Sequence, residues 1–292
     1  MEEIEIDVVI PWLNPTEKWF NEYKQFCENE NPARIRDLNT IRPTIKSIIK
    51  NLSWVRYIWI IVFDEEQIPD WEEFKNEKIK FVFHRDIIPK EFLPTFNSLI
   101  PEMFVHNIKD LSENFIWSND DMIFLKPIPK EFYFKNGKTV HRSNIKRIWH
   151  KETVNMFSKI RNNTAKFISK FNEGKNFLAE DYHLPIPLKK SLCEFIWNKH
   201  YKELYESCKN SKIRKETNFS MAFIPFSIEE IYNLCEYEKY PEIKCKVIHF
   251  TDNITKQELE KSIKDNHIIC LNDSEGLVKK ADDVAQYIKE LL

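Results

Sequence analysis

Tyr57-Ile58-Trp59-Ile60-Ile61-Val62-Phe63 is an unbroken run of β-branched and aromatic residues. A strand buried on both faces reads this way, and such strands sit inside parallel sheets. Toward the N-terminus, residues 43–52 place Ile45, Ile48, Ile49 and Leu52 at helical spacing. Residues 15–30 also read as helical. Before them Ile4, Ile6, Val8, Val9 and Ile10 begin in alternation and become continuous. Pro11 should end that strand, because it has no N–H for a ladder. Toward the C-terminus come a third strand, Ile79 to His84, a helix-like stretch at 99–110 and a fourth strand, Phe115-Ile116-Trp117. Strands alternating with helices predict βαβ units, an α/β fold with a Rossmann-like, mostly parallel sheet. Ligands of such sheets bind at the carboxyl ends of strands. Polar residues gather there: Trp12 and Asn14, Asp64, His84 and Asp86, then Asn119, Asp120 and Asp121.

Residues 131–180 differ from this frame. They are basic and Asn-rich, hold two of the three glycines, and read as a mainly helical insertion. Helical patterning resumes from Leu188 to Tyr205. Residues 245–250 and 268–271 read as strands, with a capping box of Thr255 and Glu258 between them. An amphipathic helix carrying Leu277, Val284, Ile288 and Leu291 closes the chain.

Composition removes whole classes of function. The glycines are Gly137, Gly174 and Gly276 alone, where average usage of about 7% would give roughly twenty. Neither G-x-G-x-x-G nor G-x-x-x-x-G-K-[ST] occurs, so glycine-loop phosphate binding is out. Phosphate would have to be held by a metal, by Arg, Lys or His, or by turn amides. A net charge of −2 argues against a general nucleic-acid binder. No run of about 18 apolar residues occurs, so no membrane span is expected. The opening MEEIEIDVVIPW lacks the marks of a secretory leader. Six cysteines without C-x-x-C spacing read as reduced thiols. Together these lead us to expect a cytoplasmic protein.

Four groups of residues carry chemistry. Asn119-Asp120-Asp121 offers two adjacent carboxylates on a turn, a usual way to bind Mg²⁺ or Mn²⁺ through hard oxygens. The blander account is an Asx turn. Thr95, Asn97 and Ser98 surround Phe96 just before a helix bearing Glu102; a helix start suits an anion, and equally an ordinary N-cap. His183 has the side chain most readily tuned for proton transfer near neutrality, though a lone histidine is more often structural. Arg34, Arg36, Arg42 and Arg214 could clamp phosphates, although most arginines in a chain this charged face solvent. Most aromatic rings should be core; an exposed Trp12 could stack on a base or sugar.

Taken in order, these segments resemble the Stealth family. It includes bacterial capsular polysaccharide phosphotransferases and the α/β subunits of the lysosomal-enzyme N-acetylglucosamine-1-phosphotransferase. The first family block appears as Asp7-Val8-Val9-Ile10-Pro11-Trp12-Leu13-Asn14-Pro15, with Pro15 in place of a glycine. The second runs from Arg34-Ile35-Arg36-Asp37 through Ile41 to Ser47, Leu93 to Ser98 and Glu102, to Ser118-Asn119-Asp120-Asp121. The third matches His183-Leu184-Pro185 and, later, Arg214. The fourth matches Cys270-Leu271-Asn272-Asp273. The blocks span residues 7 to 273.

The resemblance implies a single catalytic domain over 1–292, with a nucleotide-sugar-binding half at 1–130, the insertion at 131–180 and a second catalytic half at 181–292. It implies transfer of hexose- or N-acetylhexosamine-1-phosphate from a UDP-sugar such as UDP-GlcNAc to a glycan hydroxyl, with UMP leaving. Glu102, Asp121, His183 and Arg214 match the family's active-site residues. Asp120 with Asp121 is expected to hold Mg²⁺ or Mn²⁺. Asp7, Trp12, Asn14, Arg34, Arg42, Thr95, Asn97 and Asn119 are expected to contact substrate. His183 is expected to move the proton, with Glu102 as orienter or alternative base. The setting implied is bacterial capsule or exopolysaccharide synthesis. A capsule-type acceptor allows a lipid-linked form, and with it peripheral membrane contact through the basic 138–175 segment. Two rival readings remain: a metal-dependent glycosyltransferase that releases UDP, and an inactive glycan-binding homologue.

Overall fold

A five-stranded sheet forms the centre of the chain, in the order β3-β2-β1-β4-β8. Its strands are β1 (Ile6–Pro11), β2 (Ile58–Val62), β3 (Ile79–Phe83), β4 (Asn114–Trp117) and β8 (Ile186–Lys189). The first four are parallel; β8 closes one edge antiparallel to β4. This is the α/β, mostly parallel sheet that the sequence predicts. The computed structural model describes residues 4–27, 35, 37–142, 155–179, 184–240, 242–249 and 255–272.

The period of two along the strands assigns the two faces. Ile6, Val8 and Ile10 of β1 and Ile58, Ile60 and Val62 of β2 share a core with helix α2 (Ile41–Asn51), through Ile41, Ile45 and Ile48. Val9, Trp59, Ile61, Phe115 and Trp117 point to the opposite core. There they join residues of α3 (Leu99–Met103), α5 (Lys190–Lys199), α6 (Tyr201–Cys208) and α7 (Phe223–Ile231). Burial on both faces explains why β1 and β2 carry no polar alternation.

Two small sheets flank the large one. In the first, β10 (Cys245–His249) runs parallel to β11 (Ile268–Asn272), which pairs antiparallel with β5 (Met122–Phe124). Because β5 follows β4 after one short turn, Asn119-Asp120-Asp121 is the link between the two sheets. The second joins β6 (Phe134–Lys135), β7 (Lys138–His141) and β9 (Glu236–Tyr237). The capping box before α8 (Lys256–Asp265) forms: Thr255 Oγ1 accepts from the Glu258 N–H at 3.2 Å, and Glu258 Oε2 accepts from the Thr255 N–H at 2.9 Å.

Several elements differ from the sequence reading. The stretch from 131 opens with a hairpin; Asn136 and Gly137 both take positive φ, 52° and 75°, as a two-residue turn demands. Its later part is helical, with α4 at Met156–Ile168. Leu188 belongs to strand β8, and helix begins only at Lys190. Pro187 is tolerated because β8 is an edge strand. Among the described residues of the 15–30 stretch, which end at Cys27, the helix is α1 (Glu17–Tyr23). The 99–110 stretch is α-helical only to Met103, followed by a 3₁₀ turn at Val105–Asn107. The closing helix from Leu277 lies outside the described residues. None of the six cysteines forms a disulfide. Among the described residues no helix is long and apolar enough to cross a membrane.

Candidate active site

A cavity of about 450 Å³ opens at the carboxyl ends of the parallel strands. Pro11 to Leu13 border it after β1, Phe63 after β2, His84 after β3, and Asn119 and Asp120 after β4. The loop Thr95–Ser98, with Ile213 and Arg214, supplies another wall. Trp19 and Tyr23 of α1 stack at 5.0 Å and meet Phe96 edge-on at 5.4 and 5.5 Å, which makes that side aromatic.

The acidic turn is held from two directions. Thr44, Ser47 and Asn51, three and four residues apart, form a buried polar stripe along α2. Thr44 Oγ1 donates to the Asp120 carbonyl at 2.8 Å. Ser47 Oγ accepts from the Phe124 N–H at 3.0 Å, and Asn51 Nδ2 donates to the Phe124 carbonyl at 2.6 Å. From the other side, the Leu271 N–H donates to the Asp121 carbonyl at 2.9 Å. Cys270 Sγ donates to Asp121 Oδ2 at 3.3 Å.

The electrostatics of this turn are unbalanced. Burial pushes the Asp120 carboxyl well above the ordinary carboxylate range, and the neighbouring Asp121 and Asp37 push it further. Burial raises Asp121 to about 6. Burial also raises Asp37, against the Asn39 N–H that donates to it at 2.9 Å. Asp121 Oδ1 is buried without a hydrogen-bond partner, a costly state for a carboxylate oxygen. A divalent cation fits this arrangement of hard oxygens and uncompensated charge. Among the described residues no three His, Cys, Asp or Glu side chains are set to hold a metal alone. Water and substrate oxygens would complete its coordination, the usual arrangement for Mg²⁺.

The opposite wall is stitched together from distant sequence. The Phe96 N–H donates to the Lys212 carbonyl at 2.7 Å, and Lys212 Nζ to the Leu93 carbonyl at 2.7 Å. Asn97 Nδ2 donates to Asn218 Oδ1 at 3.0 Å, while Asn97 Oδ1 accepts from the Leu99 N–H at 3.1 Å. Arg214 Nη2 donates to Ser98 Oγ. Glu102 lies behind this wall, 7% exposed. Its Oε1 accepts from Ser220 Oγ and from the Ala222 N–H, both at 2.6 Å. Burial raises the Glu102 carboxyl, with these bonds and Arg214 acting in the opposite direction. His84 is held neutral, lowered to about 4 by burial, and its Nδ1 is buried without a partner.

Residues 34–142 match the family description Stealth protein CR2, conserved region 2. A capsular polysaccharide phosphotransferase of Haemophilus influenzae is 33% identical over 93% of this chain and 79% of that protein. The chain belongs to the Stealth family. A capsular polysaccharide phosphotransferase of Actinobacillus pleuropneumoniae is 31% identical over 77% of this chain and 66% of its own length. An exopolysaccharide phosphotransferase of Lactiplantibacillus plantarum is 25% identical over 98% of this chain and 92% of its own. Among solved structures, a galactosyltransferase bound to donor and acceptor sugar analogues aligns with a TM-score of 0.43 at 9% identity, over 98% of this chain and 94% of that one.

The Stealth blocks place some expected residues together and disperse others. Asn119, Asp120, Thr95, Asn97, Trp12 and Arg214 all border the cavity. Asp121 is the next residue after the lining Asp120 and is bonded to Cys270. Thr95 and Asn97 are 0% and 2% exposed, and the Asn97 amide is spent on Asn218 and Leu99, so Asn97 shapes the wall. Trp12 is not an exposed ring: it is 4% exposed and packs on Trp71 and Phe74 at 5.7 and 5.5 Å.

Three expected substrate contacts are engaged by partners within the chain. Asp7 is fully buried at the other end of β1, where Arg56, Trp59, Tyr57 and Ser112 occupy its oxygens. Arg42 forks onto Glu73 at 3.0 and 3.2 Å. Burial pushes the Glu73 carboxyl up, but Arg42 and Lys46 outweigh it and hold it at about 2. Asn14 Nδ2 donates to the Gln67 carbonyl at 2.9 Å, and Gln67 Nε2 returns a bond to the Asn14 carbonyl at 2.8 Å. His183 and Arg34 lie outside the described residues. Asp37, Thr44 and Ser47 stand in the second family block with no expected role, and Asn51 has none either. Three polar residues at helical spacing on the face that also carries Ile41, Ile45 and Ile48 are the available signal.

Proposed function

We propose that the chain is a phosphotransferase of bacterial capsule or cell-surface polysaccharide synthesis. It moves hexose- or N-acetylhexosamine-1-phosphate from a UDP-sugar to a glycan hydroxyl and releases UMP. The observation that carries this reading is one cavity walled by both Asp120 and Arg214. An acid that needs a cation and a fixed guanidinium together complement a pyrophosphate, whose transfer chemistry is mainly positioning and charge stabilisation. The acceptor oxygen attacks the β-phosphorus, the bond from that phosphorus to the bridging oxygen breaks, and UMP departs with the bridging oxygen.

Asp120 and Asp121 would hold Mg²⁺ or Mn²⁺, which supplies charge neutralisation of the pyrophosphate. Arg214, steadied by Ser98 Oγ, stabilises charge on the transferred phosphoryl group. His183 is assigned the proton of the acceptor hydroxyl. Glu102 is assigned the orienting role, since its Oε1 is committed to Ser220 and Ala222 at the start of α7. A cytoplasmic site, a lipid-linked acceptor and membrane contact through the 138–175 segment belong to the same proposal. The test is incubation with a panel of nucleotide sugars and Mg²⁺, followed by identification of the nucleotide released. UMP supports the proposal. UDP would assign the protein to glycosyl transfer, and no turnover of any donor would favour an inactive glycan-binding protein.

A further inference from the structure

We propose that Cys270 is a positioning residue for Asp121. The inference rests on the metal-assisted phosphotransferase reading above. Cys270 is 2% exposed within β11, lies opposite Met122 in the β11–β5 ladder, and donates its S–H to Asp121 Oδ2 at 3.3 Å. The next residue, Leu271, donates its N–H to the Asp121 carbonyl at 2.9 Å. Strand β11 therefore fixes both the backbone and the side chain of Asp121, from a segment 149 residues away. The bond to Oδ2 favours one rotation of the carboxylate, the one that leaves the buried Oδ1 without a partner. A thiol suits this task, because a weak donor orients a carboxylate while leaving its charge available to a cation. Partners of this kind behind a metal ligand are worth roughly tenfold to a hundredfold in metal affinity or activity.

The test uses the full chain with Cys270→Ala, Cys270→Val, Cys270→Ser and Asp121→Asn. Mn²⁺ affinity is read in the presence of UDP from the free-Mn²⁺ paramagnetic resonance signal, with a thermal melt of each variant. Both variants without a donor should bind Mn²⁺ about tenfold to a hundredfold more weakly. Serine, which retains a donor, should stay close to the parent. Alanine and valine differ in volume, so a packing effect separates them and a donor effect does not. The positioning role is overturned if alanine and valine bind Mn²⁺ like the parent while Asp121→Asn does not. It is equally overturned if serine loses as much as alanine. If Asp121→Asn binds Mn²⁺ as tightly as the parent, or the parent binds none, the metal reading fails and this inference with it.

Discussion

Asp7→Ala separates a structural role from a substrate contact. Asp7 is the first residue of the family's first block, yet its oxygens serve the fold. Oδ2 accepts from Trp59 Nε1 and the Ser112 N–H, both at 2.9 Å, and from Arg56 at 2.7 Å. Oδ1 accepts from Arg56 at 2.9 Å and the Tyr57 N–H at 3.1 Å. Removing the carboxylate orphans two fully buried donors, at about 1–3 kcal/mol each. Arg56 contributes less than a buried partner would, because its side chain is 26% exposed and can rehydrate. The two donors alone come to about 2–6 kcal/mol, a large share of the roughly 5–15 kcal/mol that holds a typical domain. From Asp7 to the cavity at Trp12 is five strand residues, about 16 Å. Urea unfolding followed by tryptophan fluorescence should therefore show a much lower midpoint, while the KM of the folded enzyme for its nucleotide-sugar donor stays unchanged. An unchanged midpoint with a raised donor KM would refute the reasoning and return Asp7 to the substrate site.

Two further outcomes follow from particular side chains. Arg214→Ala should lower kcat by about 10²–10³-fold with little change in melting temperature, as loss of a transition-state charge donor does; a change confined to KM would place Arg214 in ground-state binding. His141 is fully buried in β7 between Glu229 (3.3 Å) and Glu230 (3.2 Å). Burial lowers its pKa, but bonds to Cys235, Glu229 and Glu230 outweigh that and raise it to about 10. A raised folded pKa stabilises fully below the unfolded value near 6.5 and is lost as pH rises through about 10. The stability gap between the parent and His141→Gln, measured by urea unfolding, should shrink from pH 6 to pH 10; a gap that widens would contradict the assignment.

What was legible in the sequence follows from the range of the forces involved. Strands β1 and β2 announce themselves because burial on both faces leaves only apolar residues at Ile6, Val8 to Ile10 and Ile58 to Val62. The acidic turn was visible as a polar break after β4, and the cavity does lie at those strand ends. The fates of Arg42, Asn14 and Asp7 were not legible, because their partners lie 31, 53 and up to 105 residues away. A candidate phosphate clamp and a buried ion pair have the same sequence. Strand β8 is hidden in the sequence because Leu188 fits a helical period, and only pairing with β4 makes it a strand. The Asn136-Gly137 pair is a hairpin signal legible in the sequence itself. Cys270 stood within a recognised block, yet nothing in sequence aims its thiol at Asp121.

The central claim is that phosphorus moves with the sugar. Label the β-phosphorus of the UDP-sugar that supports turnover, supply the glycan acceptor, and separate the products. The account predicts label in the glycan as a phosphodiester and unlabelled UMP in solution. Label recovered in released UDP, with none in the glycan, would contradict it.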